Sequence, residues 1–592
     1  MRRSSVRIRS RWGLLLIVGL IFFVTVVCIL WHRFFLAHSQ FVPANGGMYT
    51  ESTIGTRRNL NPLSPNATLF DRDLGKLIFA GLLRYDSTSG EIRDGLAHFR
   101  ISEDSKTYFL TLKDSARFGN GEAVTTDDVL FTFEKVIQHP DFSNHVLRDA
   151  FEYVSLNIVD DKTVSFLLPE QNVFFLSLLT TPILPQKYFR NALIEEVTDP
   201  DFAFNKKPIG AGPFQLENIV PNDDGSFRVF LQRNPYFYGG KPKIKHLIFH
   251  VYPRFEHLNV EHPWTTIFSK IPFIQLEKFE KKIFEEYKLD SLYTRREYIL
   301  PRFTALFFNL DRETGIEKLS LRKALNAGLD KEKILLNTPG WNQIDSFFFF
   351  EGVENWHVTD FAEARTFLRT GGFPYNKTLD VRTQGETSEP LSLRLITSTA
   401  PPIYAILAQN IARTWESELN VDIEFEALTP DEFQKALKKR SYDIVLFGQN
   451  FSDNFDSLST WHSSQSGELN LSNLTHEDID FLIDEVRFSG AKTDLFALNE
   501  KLTEIVPAIP ISTPKYNLLT SHELLGFSEN FGKIRSHSDR FLNIEDWYFF
   551  EKRDWDWPEN KSKFTGFFQW LFGLEKTETP YEKTLTPDTP KS

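Results

Sequence analysis

The sequence predicts an α/β protein, on the evidence of strand and helix patterns that alternate, a globular composition and ample length. Apolar residues that alternate with polar ones indicate a strand, and apolar residues spaced three or four apart indicate a helix. Part of the chain has the order β–α–β–α–β, which implies a mostly parallel sheet covered by helices. The five predicted elements are residues 391–397, 404–419, 421–425, 433–437 and 442–447.

Length and composition are those of a soluble globular protein with more than one core. The chain has 592 residues, of which 41% are hydrophobic and 25% are charged, as in ordinary soluble domains. Positions 1–33 hold six of the 67 basic residues and no acidic one, so the remainder carries 61 basic and 79 acidic residues, a net charge of −18. This excess of acid argues against nucleic acid as a partner.

The N-terminal segment has the pattern of a transmembrane anchor. Arginines and no acidic residues precede an apolar run whose nineteen residues would span about 28 Å as a helix, close to the hydrocarbon thickness of a bilayer. Arginines before the span place the N-terminus in the cytoplasm and the bulk of the chain outside. We expect a cytoplasmic basic segment at residues 1–12, the anchor at 13–31 and a linker at 32–44.

A cleaved signal peptide is the main alternative for this N-terminus. Residues 37–39 offer a cleavage site, although the apolar run is longer than the roughly 7–15 residues usual in a signal peptide. Cys28, the only cysteine, follows Val27 rather than the small residue typical of lipoproteins. With one cysteine, neither a disulfide framework nor a Cys-ligated zinc site forms within the chain.

The stretch of residues 206–242 combines two turns around a strand. Its first turn holds Gly210 and Gly212 followed by proline, and only glycine enters so tight a turn at low cost. A strand-like alternation follows, and an aromatic turn at residues 234–242 closes the stretch.

Capping and apolar spacing predict helices elsewhere before residue 380. Thr125 or Thr126 caps one of them, and acids in its first turn favour the helix dipole. A short buried strand at residues 306–310 precedes another helix, whose leucines share one face. The predicted helices are residues 73–83, 127–137, 319–328 and 360–372.

Together these blocks resemble the family 5 extracellular solute-binding proteins, the peptide- and nickel-binding receptors of ABC importers. There a G-x-G-P-[FY] turn precedes a strand and an N-x-x-[YW]-x-x-x-[KR]-P segment, as in residues 208–242 here. The resemblance covers roughly residues 50–550. Its strongest block consists of Asn309, Leu321, Arg322, Ala324, Leu325, Ala327, Leu329, Asp330 and Lys331.

The resemblance implies a two-lobed periplasmic-binding-protein-like fold of the class II type, with a subdomain inserted in the first lobe. The chain after Pro507 completes the sheet of the first lobe, and crossings near residues 303 and 506 form the hinge. The expected segments are residues 45–79, 205–303 and 506–557 for the first lobe, 80–204 for the insert, 304–505 for the second lobe, and 558–592 for an aromatic stretch and disordered tail.

No catalytic motif is present, so we expect a binding protein rather than an enzyme. The sequence contains no G-x-S-x-G, no H-E-x-x-H and no P-loop. His246 and His250 lie four residues apart in a strand-like run, where such positions are far from each other. We therefore expect neither a metal site nor a cofactor.

The predicted ligand site is the loop after the strand that ends at residue 447. Ligands of open α/β sheets bind at the carboxyl ends of strands. In peptide-binding members of the family, an acid in this loop pairs with the α-amino group of the peptide. The resemblance assigns this role to Asp453 first and to Asp456 second, with Gln449 and Asn450 as further ligand-binding residues.

The expected function is capture of oligopeptides by closure of the two lobes and their delivery to the permease subunits of an ABC importer. The expected location is the cell membrane, with a single span and the bulk of the chain extracytoplasmic. Within the same fold, nickel, an opine or a sugar is an alternative ligand. An extracellular hydrolase that uses Asp453 and Asp456 as paired carboxylates is an alternative of another class, and a signalling or adhesion module is a third.

Overall fold

The computed structural model describes most of the chain, which forms two compact units. One unit consists of residues 1–44 and 550–592, and the other of residues 45–549. The expected tail at residues 558–592 lies outside the described residues. Those are residues 4–37, 39–86, 89–254, 257, 266–269, 293–336, 341–344, 347, 358–385, 389–450, 456–521, 524–527 and 535–555.

Helices of very different length occur in the described chain. A π-helical stretch, Phe131–Ile137, continues directly from α3. The α-helices are α1 (Ser4–Ala37), α2 (Leu69–Ile78), α3 (Thr126–Leu130), α4 (His145–Phe151), α5 (Phe175–Leu178), α6 (Ile194–Val197), α7 (Ala203–Lys206), α8 (Leu319–Ala327), α9 (Lys331–Leu335), α10 (Phe361–Thr370), α11 (Ile403–Leu419), α12 (Pro430–Lys438), α13 (Leu458–Trp461), α14 (Glu477–Ser489) and α15 (Lys492–Ile505).

The strands are mostly short, with one exception of 14 residues near the C-terminus. They are β1 (Ser39–Pro43), β2 (Met48–Ile54), β3 (Leu83–Tyr85), β4 (Ile92–Asp94), β5 (Ala97–Ile101), β6 (Thr107–Leu112), β7 (Ser155–Ile158), β8 (Thr163–Leu167), β9 (Phe214–Pro221), β10 (Phe227–Arg233), β11 (His246–Tyr252), β12 (Thr266–Ser269), β13 (Tyr293–Ile299), β14 (Arg302–Phe308), β15 (Trp341–Gln343), β16 (Tyr375–Asn376), β17 (Val381–Arg382), β18 (Ser392–Ser398), β19 (Asp422–Leu428), β20 (Ile444–Asn450), β21 (Ala508–Ser521) and β22 (Glu551–Trp555).

In the first unit, α1 carries the apolar segment that the sequence predicts. Its window Leu15–Arg33 has a mean hydropathy of 2.7 and no buried residue. The helix is long and apolar enough to cross a membrane, a property that anchors and signal sequences share. Strands β1 and β22 pair antiparallel, with Ser39 opposite Trp555. Part of the expected linker at residues 32–44 therefore forms a strand.

The second unit is built on a sheet to which the described residues contribute twelve strands. Its main path has the order β19-β18-β20-β14-β21-β12-β2-β11-β10-β9, and β13 and β15 also pair with β21. The long strand β21 changes partner along its length. Its first part is antiparallel to β14 and its last part is antiparallel to β12 and β13. This one strand thus belongs to both halves of the sheet.

The predicted β–α–β–α–β segment is confirmed as a parallel part of this sheet. Strand β18 is parallel to both β19 and β20, and helices α11 and α12 connect these strands in the predicted order. Strand β14 is antiparallel to β20 and lies at the centre of this half. The carboxyl ends of β18 and β20 consequently point the same way.

The buried apolar residues confirm a two-lobed α/β fold. One core contains only residues from 49–251 and 524–547. The other half of the sheet has a core on each face, and together these two cores contain only residues from 303–511. A separate four-stranded sheet of order β5-β6-β8-β7 lies in the part expected as an insert. The exact boundaries of the expected segments remain predictions.

The helix predicted at residues 73–83 is shifted toward the N-terminus, and the glycine turn explains where it ends. Thr68 begins α2 with a capping box. At the other end, the Gly212 N–H donates to the carbonyl oxygen of Ile78 at 2.8 Å. A Cβ atom on Gly210 would lie 2.1 Å from that oxygen. The turn thus terminates α2, and its close approach requires glycine.

A fully buried ion cluster connects the first strand of the first lobe to the C-terminal part of the chain. The guanidinium of Arg540 donates to Glu51 at 2.7 Å and to Asp73 at 2.9 Å, and at most 1% of each side chain is exposed. The hydroxyl groups of Tyr49 and Ser538 donate to the same two carboxylates. Every charge in the cluster is thus paired and hydrogen-bonded, as burial requires.

Candidate ligand-binding site

The strand predicted to end at residue 447 continues to Asn450, so Gln449 and Asn450 lie in β20 and not in the loop expected after it. The last residues of β20 pair with the first residues of β14, with Gln449 opposite Phe303 and Asn450 opposite Arg302. Asp453 and the side chain of Asn450 lie outside the described residues. The structure therefore places the end of β20 beside the start of β14.

The other two predicted residues have distinct environments. The Oε1 atom of Gln449 is buried and has no hydrogen-bond partner among the described residues. Asp456 has a cation, since its carboxylate lies 3.4 Å from the Nε atom of Arg487. It also accepts a hydrogen bond from the Leu458 N–H at 3.1 Å, just before α13. The Asp456 carboxylate thus connects the start of α13 to the end of α14.

Beside the end of β20 the structure shows a polar cluster that sequence reasoning missed. Arg302, the first residue of β14, donates from Nη2 to the Oη atom of Tyr404 at 2.9 Å. Tyr404 is the second residue of α11, and the hydroxyl of Tyr516 on β21 also interacts with the guanidinium. The three side chains come from different elements that meet where β21 changes partner. We call Arg302, Tyr404 and Tyr516 the arginine–tyrosine cluster.

Gly448 allows this cluster to form. A Cβ atom at this position would lie 2.1 Å from the Tyr404 Oη atom and 2.9 Å from the Arg302 Nη2 atom. Gly448 pairs with Thr304, so Arg302, two residues before Thr304, shares the sheet face with this glycine. Any side chain at residue 448 would displace the hydroxyl and the guanidinium.

The cluster is charged at neutral pH. Burial lowers the pKa of Arg302, but Tyr404 and Tyr516 raise it by more, so the pKa lies above its ordinary value. Burial raises the pKa of Tyr516, and Arg302 lowers it by less. A guanidinium cation and a protonated Tyr516 hydroxyl are therefore the relevant species, and both offer N–H or O–H groups.

Two buried hydroxyl groups extend the polar face beyond the cluster. Thr304 on β14 lies directly opposite Ser512 on β21, and neither residue is exposed. In the part of the chain that the structure describes, neither hydroxyl has a hydrogen-bond partner. Buried polar groups normally find a partner in protein, ordered water or a ligand. Their position suits a surface that binds a polar group.

The expected insert contacts the second lobe at a separate place. The N–H of Val173 donates to the carbonyl oxygen of Arg487 at 3.0 Å. The Gln171 side chain donates to the carbonyl oxygen of Phe488 at 3.0 Å, and Phe174 packs against the core on one face of the second lobe. These contacts hold the end of α14, which also carries the cation that pairs with Asp456.

No group of three or more His, Cys, Asp or Glu side chains in the described ranges could hold a metal ion. His246 and His250 lie in β11, as the sequence predicts. His246 is 4.0 Å from Glu217, and His250 is buried.

The missed residues gave only weak signals in the sequence. Arg302 adjoins the expected crossing near residue 303, but an arginine before an apolar strand most often lies on a surface. Its partners Tyr404 and Tyr516 are 102 and 214 residues farther along the chain. Nothing in their local patterns connects them.

Comparison with known proteins agrees with this architecture. Residues 91–468 match the model of the family described as bacterial extracellular solute-binding proteins, family 5 Middle. The dipeptide-binding protein of Escherichia coli (strain K12) is 27% identical over 219 residues, which cover 34% of this chain and 40% of that protein. The matched part spans 33% to 40% of the length of the first three curated relatives.

Two solved structures share the fold at low sequence identity. The oligopeptide-binding protein AppA of Bacillus subtilis, in complex with a nonapeptide, has a TM-score of 0.66 and 18% identity, covering 86% of this chain and 100% of AppA. NikZ of Campylobacter jejuni, in complex with Ni(L-His), has a TM-score of 0.65 and 21% identity, with the same coverage. Since the family model matches more than half of the chain, the chain belongs to the family 5 bacterial extracellular solute-binding proteins.

Proposed function

We propose that this protein captures oligopeptides outside the cytoplasm by closure of its two lobes and delivers them to an ABC importer. The observation that carries the proposal is a polar site at the ends of β20 and β14, where the two-lobed sheet changes from one lobe to the other. Ligands of open α/β sheets bind at such strand ends. Lobes joined by a few strands close around a ligand by bending at those strands.

Relatives support a peptide as the ligand. The relative in Escherichia coli is a dipeptide-binding protein, and AppA binds a nonapeptide in its solved structure. NikZ, with the same fold, holds Ni(L-His), so the fold alone does not select the ligand. Oligopeptides are the proposal for this chain because the dipeptide-binding relative and AppA both take peptides.

We propose that the loop after β20 holds the amino end of the peptide. Asp453 supplies the carboxylate for the α-amino group, while Gln449 and Asn450 contact the peptide backbone. The buried, unpartnered Oε1 atom of Gln449 supports this role for the end of β20, since no other described residue satisfies it. Asp456 acts indirectly, because its ion pair with Arg487 orders the loop against α14.

Contacts of the insert with α14 support closure. The Gln171 side chain and the Val173 N–H donate to carbonyl oxygens at the end of α14. Such hydrogen bonds form only when the insert and the second lobe lie against each other. We propose that these contacts belong to the closed state and that ligand binding favours them. A ligand shifts such an equilibrium by its differential affinity for the closed state.

We propose that α1 remains as a membrane tether and that the permease subunits of the importer lie in the same membrane. The helix is long and apolar enough for this role. A tether keeps the receptor near its permease, which raises the effective concentration of one for the other.

The test is binding of peptides to the full chain purified in mild detergent. We expect a pool of random pentapeptides to raise the unfolding temperature, and the bound peptides to be recovered intact by mass spectrometry. Substitution Asp453→Asn should weaken the stabilisation, while Asp431→Asn on α12 should not. Recovery of cleaved peptides would favour a hydrolase, and a protein indifferent to every peptide would contradict the proposal.

A further inference from the structure

The arginine–tyrosine cluster contains a positive charge that no described carboxylate neutralises. The half-buried Arg302 guanidinium donates to the phenol oxygen of Tyr404 and also interacts with the hydroxyl of Tyr516. Among the described residues its Nε atom is buried and has no acceptor. Burial of a charge is costly unless the charge is paired, so the environment of Arg302 is suited to an anion from outside the chain.

The groups around Arg302 are hydroxyl groups, and none of them supplies a negative charge. Tyr516 remains protonated because burial raises its pKa, although Arg302 opposes this effect. Thr304 and Ser512, on the same sheet face, have buried hydroxyl groups without partners in the described chain. Hydroxyl groups can donate as well as accept, so these side chains add hydrogen bonds but no compensating negative charge.

The start of α11 adds a favourable dipole at the same place. This 17-residue helix begins at Ile403, has no side-chain cap from Pro402 and has no acidic residue in its first turn. Its second residue, Tyr404, contacts the guanidinium. The positive end of a helix dipole stabilises a nearby anion. The dipole supports the inference, which depends on the unpaired arginine.

The number of charges favours a carboxylate over a phosphate. Arg302 supplies the positive charge that lowers the pKa of Tyr516. A phosphate group carries about −1.5 to −2 charges near neutral pH, whereas a carboxylate carries one and matches the planar fork of a guanidinium. One arginine with neutral hydroxyl groups thus balances one carboxylate.

We propose that Arg302, aided by Tyr404 and Tyr516, binds a carboxylate group of the transported ligand. This inference rests on the proposed function as a solute receptor, and it narrows the ligand to compounds with an accessible carboxylate. The C-terminus of a peptide and the acid group of a small organic acid share this chemistry. Gly448 provides the space in which the guanidinium and the phenol meet.

The test compares two pools of random pentapeptides that differ only in the C-terminal group. One pool has free carboxylates and the other has carboxamides, and both are titrated calorimetrically into the full chain in mild detergent. The variants are Arg302→Gln and, as a matched control, Arg440→Gln. Arg440 also donates to a tyrosine hydroxyl, that of Tyr442 at 2.8 Å, but precedes the opposite end of β20.

We expect wild type and Arg440→Gln to bind the free-acid pool about 10- to 100-fold more tightly than the amide pool, because charge-assisted hydrogen bonds contribute most of this difference. Arg302→Gln should bind both pools with the same weak affinity. Equal binding of the two pools by the wild type would overturn the carboxylate proposal and leave the receptor function intact. A preference that persists in Arg302→Gln would overturn the role of this arginine.

A second readout covers a wild type that binds neither pool. Compounds released from purified wild type and from Arg302→Gln are identified by mass spectrometry. A carboxylic acid other than a peptide, released from the wild type alone, would support the arginine site and refute the peptide ligand. Release of the same compound from both proteins, of a compound without a carboxylate, or of nothing at all would overturn the carboxylate proposal.

Discussion

Two arginines of this protein show how burial can serve either the fold or a ligand. Arg540 is buried between Glu51 and Asp73, and its charge is balanced within the chain. Arg302 is half-buried among hydroxyl groups and has no described carboxylate partner. The difference indicates that the first arginine completes the first lobe, whereas the second is arranged for a group that the chain does not supply.

The largest effect is expected from removal of the balanced arginine. Arg540→Met leaves two buried carboxylates without a cation, and breaking such a cluster typically costs about 3–5 kcal/mol of the free energy of unfolding. Urea unfolding of the full chain in mild detergent measures this loss. The control Arg302→Met should cost clearly less, because it leaves hydroxyl groups and no charge behind. Equal losses would remove the distinction between the two sites.

A medium effect is expected from filling the space between Arg302 and Tyr404. Gly448→Ala places a methyl group 2.1 Å from the present position of the Tyr404 hydroxyl, so the cluster must move, at a cost of about 1–3 kcal/mol. Peptide binding should weaken in parallel. Gly75→Ala in α2 is the matched control, since the nearest atom to its Cβ would be 4.0 Å away. Unchanged binding in Gly448→Ala would contradict the assignment.

A small effect on stability, with a larger one on binding, is expected from loss of a single hydroxyl. Tyr404→Phe removes the hydrogen bond from Arg302, which contributes about 1 kcal/mol to stability. Thermal unfolding measures this loss, and calorimetry with the free-acid peptides should show weaker binding. Tyr442→Phe is the control. The Tyr442 hydroxyl accepts a hydrogen bond from Arg440 and donates one to the Leu471 carbonyl oxygen, away from the arginine–tyrosine cluster. This control should destabilise the protein without affecting affinity.

The sequence predicts the elements of the fold well because their signals are local. The β–α–β–α–β order between β18 and β20 follows from apolar spacing, and the Gly210–Gly212 turn follows from residues next to one another. The position of α2 was less predictable. Its end depends on Gly212, which approaches Ile78 from 134 residues farther along the chain.

The two arginine sites were unpredictable for the same physical reason. Arg540 meets Glu51 across 489 residues, and Arg302 meets Tyr404 across 102. Neither contact produces a local sequence pattern, so no spacing of residues distinguishes these two arginines from surface arginines. The site in the loop after β20 stays a prediction, which rests on the family resemblance and on the position of the loop at the carboxyl end of a strand. The position of Arg302 next to the end of β20 follows only from the pairing of β14 with β20.

The most direct test measures stability and ligand binding on the same preparations of Arg302→Gln and Arg540→Met. For Arg302→Gln, the account predicts a change in unfolding free energy of at most about 1 kcal/mol and loss of at least about tenfold in affinity for the free-acid pentapeptides. For Arg540→Met, it predicts a large loss of stability and normal affinity in the folded fraction. The account would be contradicted if Arg302→Gln unfolded as readily as Arg540→Met while its folded fraction bound peptides normally.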